Sequence, residues 1–416
     1  MRGIPGRALR IVVADDSAVM RGIMRTLFAT HAERPSSELP EMTICGEAKD
    51  GVECLEMVKR LQPDLLLLDL EMPRMNGLAV LDQLRVESSQ VPVIMCSAYT
   101  ELGARSTVDA LSRGASDYVM KPNAQVNFTA ALQNLSDQLL PKIAALADSW
   151  GKRRGQKPCV APTISARKGS EQRIASSGAA AAVIEVIVIG VSTGGPSALE
   201  VMLPMLPADL PVPVLIVQHM PKLFTGALAE RLDRCCALQV KEAYEGAVPM
   251  PGTVWLAPGD MHMEVGWRGG TRKGARESSR RVQVCLHQER PLNYCRPSVD
   301  HLFNSAVQVY GAGTLAAVLT GMGADGLTGA RAVHQAGGIV LAQDEASSAV
   351  WGMPGRVTEA GIASATLPLQ ELAAEVTRRV WKGRSHRIEG PDVQQSLVPR
   401  GDGGISRRME VAGGLY

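Results

Sequence analysis

Residues 65–77 read L-L-L-L-D-L-E-M-P-R-M-N-G. The first four residues form an unbroken apolar run, which Asp69 ends. Such a run is typical of a strand buried on both faces of a parallel sheet. Similar short runs flank it on both sides, and stretches with helical spacing separate them: residues 11–14, 42–45, 93–95 and 118–120. The repeated alternation predicts a doubly wound α/β domain with five strands over residues 10–140.

The composition narrows the class of protein. The chain has 416 residues, of which 45% are apolar and 21% are charged, and its 44 Lys+Arg against 42 Asp+Glu leave a net charge of +2. This balance gives no bulk electrostatic reason to bind nucleic acid, and 4% aromatic residues provide little material for base stacking. Eight cysteines form no C-x-x-C pair, so neither a zinc knuckle nor a disulfide framework is indicated.

Hydropathy along the chain predicts a cytoplasmic protein without direct membrane insertion. The longest apolar stretch, residues 179–191, is interrupted by Glu185 and is shorter than the roughly 20 residues that span a bilayer. The first residues lack the charged, apolar and small-residue pattern of a signal peptide.

Composition also predicts where the domains begin and end. A first domain over residues 9–142 contains a longer loop at 31–41, and a basic linker rich in Gly, Pro and Ser follows over 143–183. A second alternation of strands and helices predicts another doubly wound α/β domain over 184–381, followed by a disordered tail over 382–416. Its five predicted strands are residues 186–189, 214–217, 254–257, 315–319 and 339–342.

Charged and polar residues end four of the five predicted strands of the first domain. Asp15 and Asp16 follow the first strand and Asp69 ends the third, at the sheet edge where open α/β folds bind ligands. Carboxylates held this close repel one another unless a hard cation lies among them, which predicts an all-oxygen Mg²⁺ site. Ser97 and Lys121 end the fourth and fifth strands, and they complete a pocket that can hold a phosphoryl group.

Three catalytic residue types occupy the same edge of the second predicted sheet. Ser192 lies in G-V-S-T-G-G between a strand and a helix, which fits the G-x-S-x-G turn of serine hydrolases. His219 and Asp325 follow two other strands and supply a base and a carboxylate. Each has a competing interpretation: a Gly-rich turn that cradles phosphate, a polar loop histidine and a turn aspartate.

Two further pairs imitate this pattern less well. Asp260 with His262 lacks a neighbouring serine turn, and Asp300 with His301 follows a predicted helix start. We expect structural or substrate-contacting roles for both pairs.

Residues 10–140 resemble the receiver domains of two-component response regulators, which have the flavodoxin-like five-stranded fold. The matching segments are V-V-A-D-D-S (12–17), residues 65–77, I-M-C-S-A (94–98) and D-Y-V-M-K-P (117–122). The resemblance implies that Asp69 is the phosphorylation site and that Asp15 and Asp16 hold Mg²⁺ together with it. It also implies phosphoryl contacts from Ser97 and Lys121 and a switch position at Tyr118.

The second domain resembles the catalytic domain of chemotaxis protein-glutamate methylesterases (CheB). The matching segments include I-G-V-S-T-G-G, V-Q-H-M-P, W-L-A-P-G-D-M-H-M, C-R-P-S-V-D and L-T-G-M-G-A-D-G. The resemblance implies a Ser192 nucleophile, a His219 base oriented by Asp325, and an oxyanion hole near Thr193 and Met322, with no cofactor at the esterase site.

Together the two resemblances imply a phosphorylation-activated esterase that removes methyl groups from chemoreceptor glutamates and deamidates receptor glutamines. They imply a histidine kinase as phosphodonor and methyl-accepting chemoreceptors as substrates. Two alternatives stay open from the residues alone. One is a receiver whose second domain only binds a partner protein, and the other is a hydrolase of small-molecule esters.

Overall fold

The computed structural model describes residues 7–33, 39–122, 127–155, 182–268 and 281–388. The N-terminal unit is a five-stranded parallel sheet in the order β2-β1-β3-β4-β5. Its elements are β1 (Leu9–Ala14), α1 (Ala18–Glu33), β2 (Met42–Ala48), α2 (Gly51–Leu61), β3 (Leu65–Asp69), α3 (Gly77–Val86), β4 (Val93–Ser97), α4 (Glu101–Ser112), β5 (Asp117–Met120) and α5 (Phe128–Gly155).

Both faces of this sheet are covered by helices. Ile11 and Val13 of β1 point into a cluster with residues of α1 and α5, whereas Val12 and Ala14 point into a cluster with residues of α2, α3 and α4. Because successive strand residues face opposite sides, burial on both sides produces the continuous apolar runs seen in the sequence. The predicted doubly wound fold is confirmed.

Side-chain caps set the starts of three helices in this unit. The Asp50 carboxylate accepts hydrogen bonds from the backbone at the start of α2, and Asn76 and Thr100 do the same for α3 and α4. Each cap satisfies amide groups that have no partner within the helix.

The C-terminal unit is a seven-stranded parallel sheet with a separate antiparallel hairpin, β10-β11. Its elements are β6 (Val186–Val191), α6 (Gly195–Met202), β7 (Val214–Gln218), α7 (Lys222–Cys235), β8 (Gln239–Glu242), β9 (Thr253–Leu256), β10 (His262–Trp267), β11 (Val282–His287), α8 (Val299–Tyr310), β12 (Thr314–Val318), α9 (Leu327–Gln335), β13 (Ile339–Gln343), α10 (Met353–Glu359), β14 (Ala365–Leu367) and α11 (Leu369–Ile388). The order within the large sheet is β14-β13-β12-β6-β7-β9-β8.

The five predicted strands of this unit are present, and four others escaped prediction. The edge strands β8 and β14 are short and partly exposed, so they lack the continuous apolar run that a doubly covered strand requires. The hairpin strands β10 and β11 mix buried and half-buried residues and pair with each other instead of joining the large sheet.

The strand order creates a ligand crevice beside β6. The chain passes from β6 to β7 on one side, and β12 later joins β6 on the other side. Ligands of open α/β sheets bind at such a reversal, beyond the carboxyl ends of the strands. The residues that follow β6, β7 and β12 therefore face a common crevice.

Three helices extend past the predicted domain and loop boundaries. Helix α1 continues to Glu33, into the predicted 31–41 loop, because His31 is buried beside its apolar face. Helix α5 continues past residue 142, since the apolar Ile143 and Leu146 are buried in the core of the N-terminal unit. Helix α11 runs to Ile388, beyond the predicted boundary at 381. Residues 34–38, 156–181 and 389–416 lie outside the described residues.

The two units pack against each other through helices. Helix α4 contacts both α6 and α7. Buried apolar residues of these helices belong to one continuous cluster, among them Val108 of α4, Leu199 of α6 and Leu228 of α7. In the described part of the chain, no helix is both long enough and apolar enough to span a membrane.

Candidate active site

Ser192 and His219 follow two directly paired strands. Val191 of β6 is opposite Gln218 of β7, and the His219 amide donates to the Val191 carbonyl at 3.1 Å. Parallel pairing in this register brings the next residues, Ser192 and His219, to the same edge of the sheet.

The turn around Ser192 is tight and depends on glycine. Gly194 has a φ of 77°, a left-handed conformation that favours glycine. A Cβ on Gly195 would lie 2.0 Å from Oε1 of Gln218, so a side chain at this position would have to displace the buried Gln218 side chain. The Ser192 amide donates to the Thr320 carbonyl at 3.0 Å, and the Ser192 carbonyl accepts from the Gly195 amide at 2.8 Å. These contacts fix the strand-turn-helix geometry that the motif predicted.

His219 and Asp325 form a direct pair. Nε2 of His219 lies 2.8 Å from Oδ2 of Asp325, which is buried in the loop between β12 and α9. Burial favours a lower pKa for His219, but the hydrogen bond to Asp325 and the adjacent Cys295 outweigh it, so the pKa of His219 is raised. Although burial raises the pKa of Asp325, the His219 contact and other donors lower it to about 2.

The carboxylate of Asp325 is held by the start of α8. It accepts hydrogen bonds from the Val299 amide at 2.7 Å and from the Ser298 hydroxyl at 2.8 Å. The Asn293 side-chain amide donates at 3.1 Å to Oδ1, the same oxygen that accepts from Ser298. Donors at a helix N-terminus stabilise the ionised carboxylate, so Asp325 is preorganised as a fixed anion beside His219.

Cys295 is a neighbour of the base that sequence reasoning missed. Its Sγ lies 3.5 Å from Nδ1 of His219, the ring nitrogen that Asp325 does not contact. The residue was present in the C-R-P-S-V-D segment that resembles the esterase family, but nothing in the local pattern shows that the loop folds back onto His219. With Nε2 donating to Asp325, Nδ1 is the basic nitrogen of the neutral ring.

Thr193 and Met322 both lie close to Ser192. Thr193 is its chain neighbour and is buried, and the Thr320 hydroxyl donates to the Thr193 carbonyl at 2.9 Å. Met322 follows Gly321, where an added Cβ would lie 2.8 Å from Cβ of Ser192. The β12 loop thus passes directly against the serine turn.

In the receiver unit, Asp15, Asp16 and Asp69 converge as predicted. Carboxylate oxygens from the three residues lie within 4.8 Å of one another. Lys121 places its Nζ 2.9 Å from Oδ2 of Asp15 and 2.8 Å from Oδ1 of Asp69. Burial raises the pKa of Asp69 to about 6, with Lys121 opposing the shift and Asp15 adding to it.

This donor set fits a magnesium ion. Oδ2 of Asp15 is buried and accepts no hydrogen bond of good geometry from the described residues, although the Lys121 ammonium lies beside it. Clustered carboxylate oxygens are the ligands that Mg²⁺ prefers. One ammonium beside three carboxylates does not balance their charge, so the pocket suits an added divalent cation.

Ser97 and Tyr118 occupy the positions that the sequence assigned. Ser97 is buried at the end of β4, where its hydroxyl accepts a hydrogen bond from Thr107 at 2.6 Å. Tyr118 of β5 points toward the C-terminal unit and stacks on Phe224 of α7, with ring centroids 4.8 Å apart. Burial raises the pKa of Tyr118 well above its usual range, so the ring packs as a neutral aromatic.

A hydrogen bond also joins the N-terminal unit to the serine turn. The Thr193 hydroxyl donates to Oδ2 of Asp117 at 2.7 Å, and Lys142 contacts the other oxygen of Asp117 at 2.8 Å. Asp117 opens the D-Y-V-M-K-P segment but had no assigned role, because a residue beside the switch position gives no sequence signal of contact with another domain. Farther along the interface, Arg231 contacts Asp109 at 2.6 Å.

The arrangement has the components of acyl transfer. It combines a hydroxyl on a tight turn, a histidine at the adjacent strand end and a buried carboxylate that orients that histidine. The N-terminal unit packs beside it, through Asp117 on Thr193, Tyr118 on Phe224, and α4 on α6 and α7.

Comparisons with known proteins agree with this division of the chain. Residues 187–376 match the family described as CheB methylesterase, and residues 11–133 match the response regulator receiver domain. Two similar proteins are named protein-glutamate methylesterase/protein-glutamine glutaminase. The one from a Nocardioides species is 43% identical, over 96% of this chain and 99% of the relative. The one from Trichodesmium erythraeum is 41% identical, over 89% of this chain and 99% of the relative.

Among solved structures, the Thermotoga maritima CheB methylesterase catalytic domain is 39% identical. The match covers 47% of this chain and 99% of the Thermotoga maritima chain, with a TM-score of 0.44. Because the full-length relatives exceed 40% identity over nearly their whole length, this chain belongs to the CheB family of methylesterases that carry an N-terminal response-regulator receiver domain.

Proposed function

We propose that this chain is a phosphorylation-activated protein-glutamate methylesterase that also deamidates protein glutamines. The observation that supports this proposal is that Ser192 and His219 follow directly paired strands of the CheB-type domain and that His219 is paired with Asp325. The proposed substrates are methyl-accepting chemoreceptors, and the proposed phosphodonor is a histidine kinase. ATP-dependent kinases act in the cytoplasm, which is the compartment we propose for this protein.

The proposed reaction starts at Ser192. Its Oγ attacks the γ-carbonyl carbon of a glutamate methyl ester while Nδ1 of His219 takes the hydroxyl proton. The negative charge on the tetrahedral oxygen is stabilised by donors near Thr193 and Met322. Protonated His219 then donates to the methoxy oxygen, methanol leaves, and an acyl-enzyme forms on Ser192.

Water completes the cycle. His219 takes a proton from the attacking water and returns it to Oγ of Ser192, and the product is a glutamate carboxylate. Asp325 stays ionised throughout and stabilises the imidazolium. A glutamine substrate forms the same acyl-enzyme and releases ammonia in place of methanol.

The receiver regulates this site in the proposal. Asp69 accepts the phosphoryl group, and Ser97 and Lys121 contact its oxygens. Asp15, Asp16 and Asp69 would hold Mg²⁺, which would neutralise charge during phosphoryl transfer. The contacts of Asp117 and Tyr118 with the catalytic unit support a closed, unphosphorylated state. Phosphorylation shifts the population toward a state in which these contacts are released.

Methanol release from methylated receptor membranes tests the proposal. Wild type, Ser192→Ala and the control Ser364→Ala are each assayed with and without acetyl phosphate and Mg²⁺. Ser364 lies just before β14, and its hydroxyl accepts one long hydrogen bond of 3.4 Å, from the Val340 amide. We expect release by wild type and the control, a rise with the phosphodonor, and none above background from Ser192→Ala.

Two results would contradict the proposal. Phosphorylation of Asp69 without any methanol release would favour a binding module in place of an enzyme. Hydrolysis of small esters by a Ser192-dependent activity that leaves methylated receptors intact would assign a different substrate.

A further inference from the structure

A second cluster of ionisable side chains lies outside the esterase and receiver sites. Oε1 of Glu264 is 2.8 Å from Nδ1 of His301 and 3.5 Å from Nε2 of His287. Potential ligand atoms of the three residues lie within 4.8 Å of one another. Metal–ligand bonds of about 2.0–2.2 Å place tetrahedral ligand atoms roughly 3.3 Å apart. The Glu264 contacts, at 2.8 and 3.5 Å, lie on either side of this spacing, so a small shift of the side chains would let them share a cation.

The fold brings these residues together from three elements. In the β10-β11 hairpin His262 is opposite His287, and Glu264 lies two residues beyond His262 on the same face, diagonal to His287. Helix α8 packs on β10, where the Ser305 hydroxyl accepts a hydrogen bond from the Val265 amide at 3.1 Å. His301 is one helical turn before Ser305 and therefore reaches Glu264.

His262 borders the cluster but is already committed to other partners. Its Nδ1 accepts a hydrogen bond from the Ser298 amide at 3.2 Å, and its Nε2 lies 3.3 Å from the Arg290 carbonyl. This pattern requires a neutral ring with the proton on Nε2. Burial, followed by neighbouring His301, lowers the pKa of His262, in agreement with that neutral form.

We propose that Glu264, His287 and His301 bind a divalent transition-metal ion of the Zn²⁺ type. Two imidazoles and one carboxylate form a ligand set suited to zinc and poorly suited to Mg²⁺. The three side chains are 36%, 26% and 19% exposed, so a cation can enter from solvent and keep water as a fourth ligand.

The site is structurally connected to the catalytic carboxylate. His301 lies in the first turn of α8, and the residues just before it, Ser298 and Val299, donate hydrogen bonds to Asp325. A metal joining His301 to the hairpin would tie this helix start to β10 and β11. Binding should therefore stabilise the start of α8, which holds Asp325, and the ion would contact neither Ser192 nor His219.

Zinc titration of the metal-free full-length protein tests the site. Isothermal titration calorimetry with Zn²⁺ is compared for wild type, His301→Gln, Glu264→Gln and the control His334→Gln, an exposed histidine on α9. We expect wild type and control to bind with equal affinity and to gain Tm. Each ligand variant should lose affinity at least about tenfold, since even outer-shell changes have effects of about that size.

Cobalt gives an independent readout. Co²⁺ absorption in the visible range should be that of a tetrahedral nitrogen and oxygen site in wild type and should disappear in His301→Gln. Circular dichroism establishes whether the variants are folded, and His287→Gln provides a third ligand variant if one of the others is unstable.

The outcomes separate this site from the others. Equal zinc affinity in wild type and all ligand variants, or no binding by folded wild type, would overturn the proposal. Loss of binding in Cys295→Ala but not in His301→Gln would place the ion at Cys295, His219 and Asp325, which form another potential ligand group. None of these readouts depends on esterase activity.

Discussion

Thr193, the neighbour of the proposed nucleophile, donates a hydrogen bond from its hydroxyl to the receiver residue Asp117 at 2.7 Å. Both side chains are buried. Tyr118, the next residue of the receiver strand, stacks on Phe224 of the catalytic unit. The switch strand of one domain thus contacts the nucleophile turn of the other directly, which provides a short physical route from phosphorylation to catalysis.

Removing Asp117 should raise the activity of the unphosphorylated protein. A hydrogen bond to a charged group contributes about 1.5–3 kcal/mol, so Asp117→Ala should shift the equilibrium toward the open state by roughly 10- to 100-fold. Basal methanol release without phosphodonor measures this shift, and Asp137→Asn on the exposed side of α5 is the control. Unchanged basal activity in a folded Asp117→Ala protein would show that this contact does not maintain the closed state.

The Arg231–Asp109 ion pair should contribute much less to closure. Its side chains are 34% and 47% exposed, and exposed pairs are worth about 1 kcal/mol or less. Arg231→Ala and Asp109→Ala should each increase basal activity by no more than about fivefold. A double-mutant cycle on basal activity measures the coupling, and high salt should reduce it. If the Arg231–Asp109 pair had a larger effect on basal activity than Asp117→Ala, the ion pair and not the Asp117 contact would be the main stabiliser of the closed state.

Asp69→Asn should separate regulation from catalysis. The carboxylate nucleophile is lost while the fold of the pocket is retained, so acetyl phosphate should neither label the protein nor stimulate it. Basal esterase activity should remain near that of wild type, because Asp69 lies in the receiver and not in the esterase crevice. Radiolabelled phosphodonor and methanol release measured on the same samples check both parts. Stimulation that survives the substitution would place phosphorylation elsewhere.

Asp325→Asn should change the pH dependence of the esterase. His219 acts as a base only when neutral, and its pKa is raised by Asp325 and Cys295 despite burial, so kcat/KM of wild type should rise with pH through a midpoint above 6.5. In Asp325→Asn the midpoint should move down, and kcat should fall by about 10²–10⁴-fold because the ring loses its orienting anion. The pH profile of both proteins tests this, and an unshifted midpoint would contradict the assigned pairing.

Alkylation of Cys295 should inactivate the esterase. The thiol is 3.5 Å from Nδ1 of His219, so an added carboxamidomethyl group would occupy the space in which the base receives the proton. Iodoacetamide should abolish activity in wild type and in Cys235→Ala, which removes an exposed cysteine, but not in Cys295→Ala. Mass spectrometry identifies the modified residue. Inactivation of Cys295→Ala at the wild-type rate would exclude this mechanism.

The local sequence was sufficient to predict the fold and to locate most residues of the proposed site. Apolar runs predicted the buried parallel strands because such strands are covered on both faces. Ser192, His219 and Asp69 were found because polar residues directly after those strands must lie at the carboxyl edge of the sheet. The edge strands β8 and β14 were missed because partial exposure removes the apolar signal.

The contacts that join distant segments required the tertiary structure. Asp117 and Thr193 are 76 residues apart, as are His219 and Cys295, and no periodic pattern links such positions. The grouping of Glu264, His287 and His301 likewise depends on hairpin register and on how α8 packs against it. Periodicity reports which side of its own element a residue faces, whereas only the packing of elements determines which other residue it meets there.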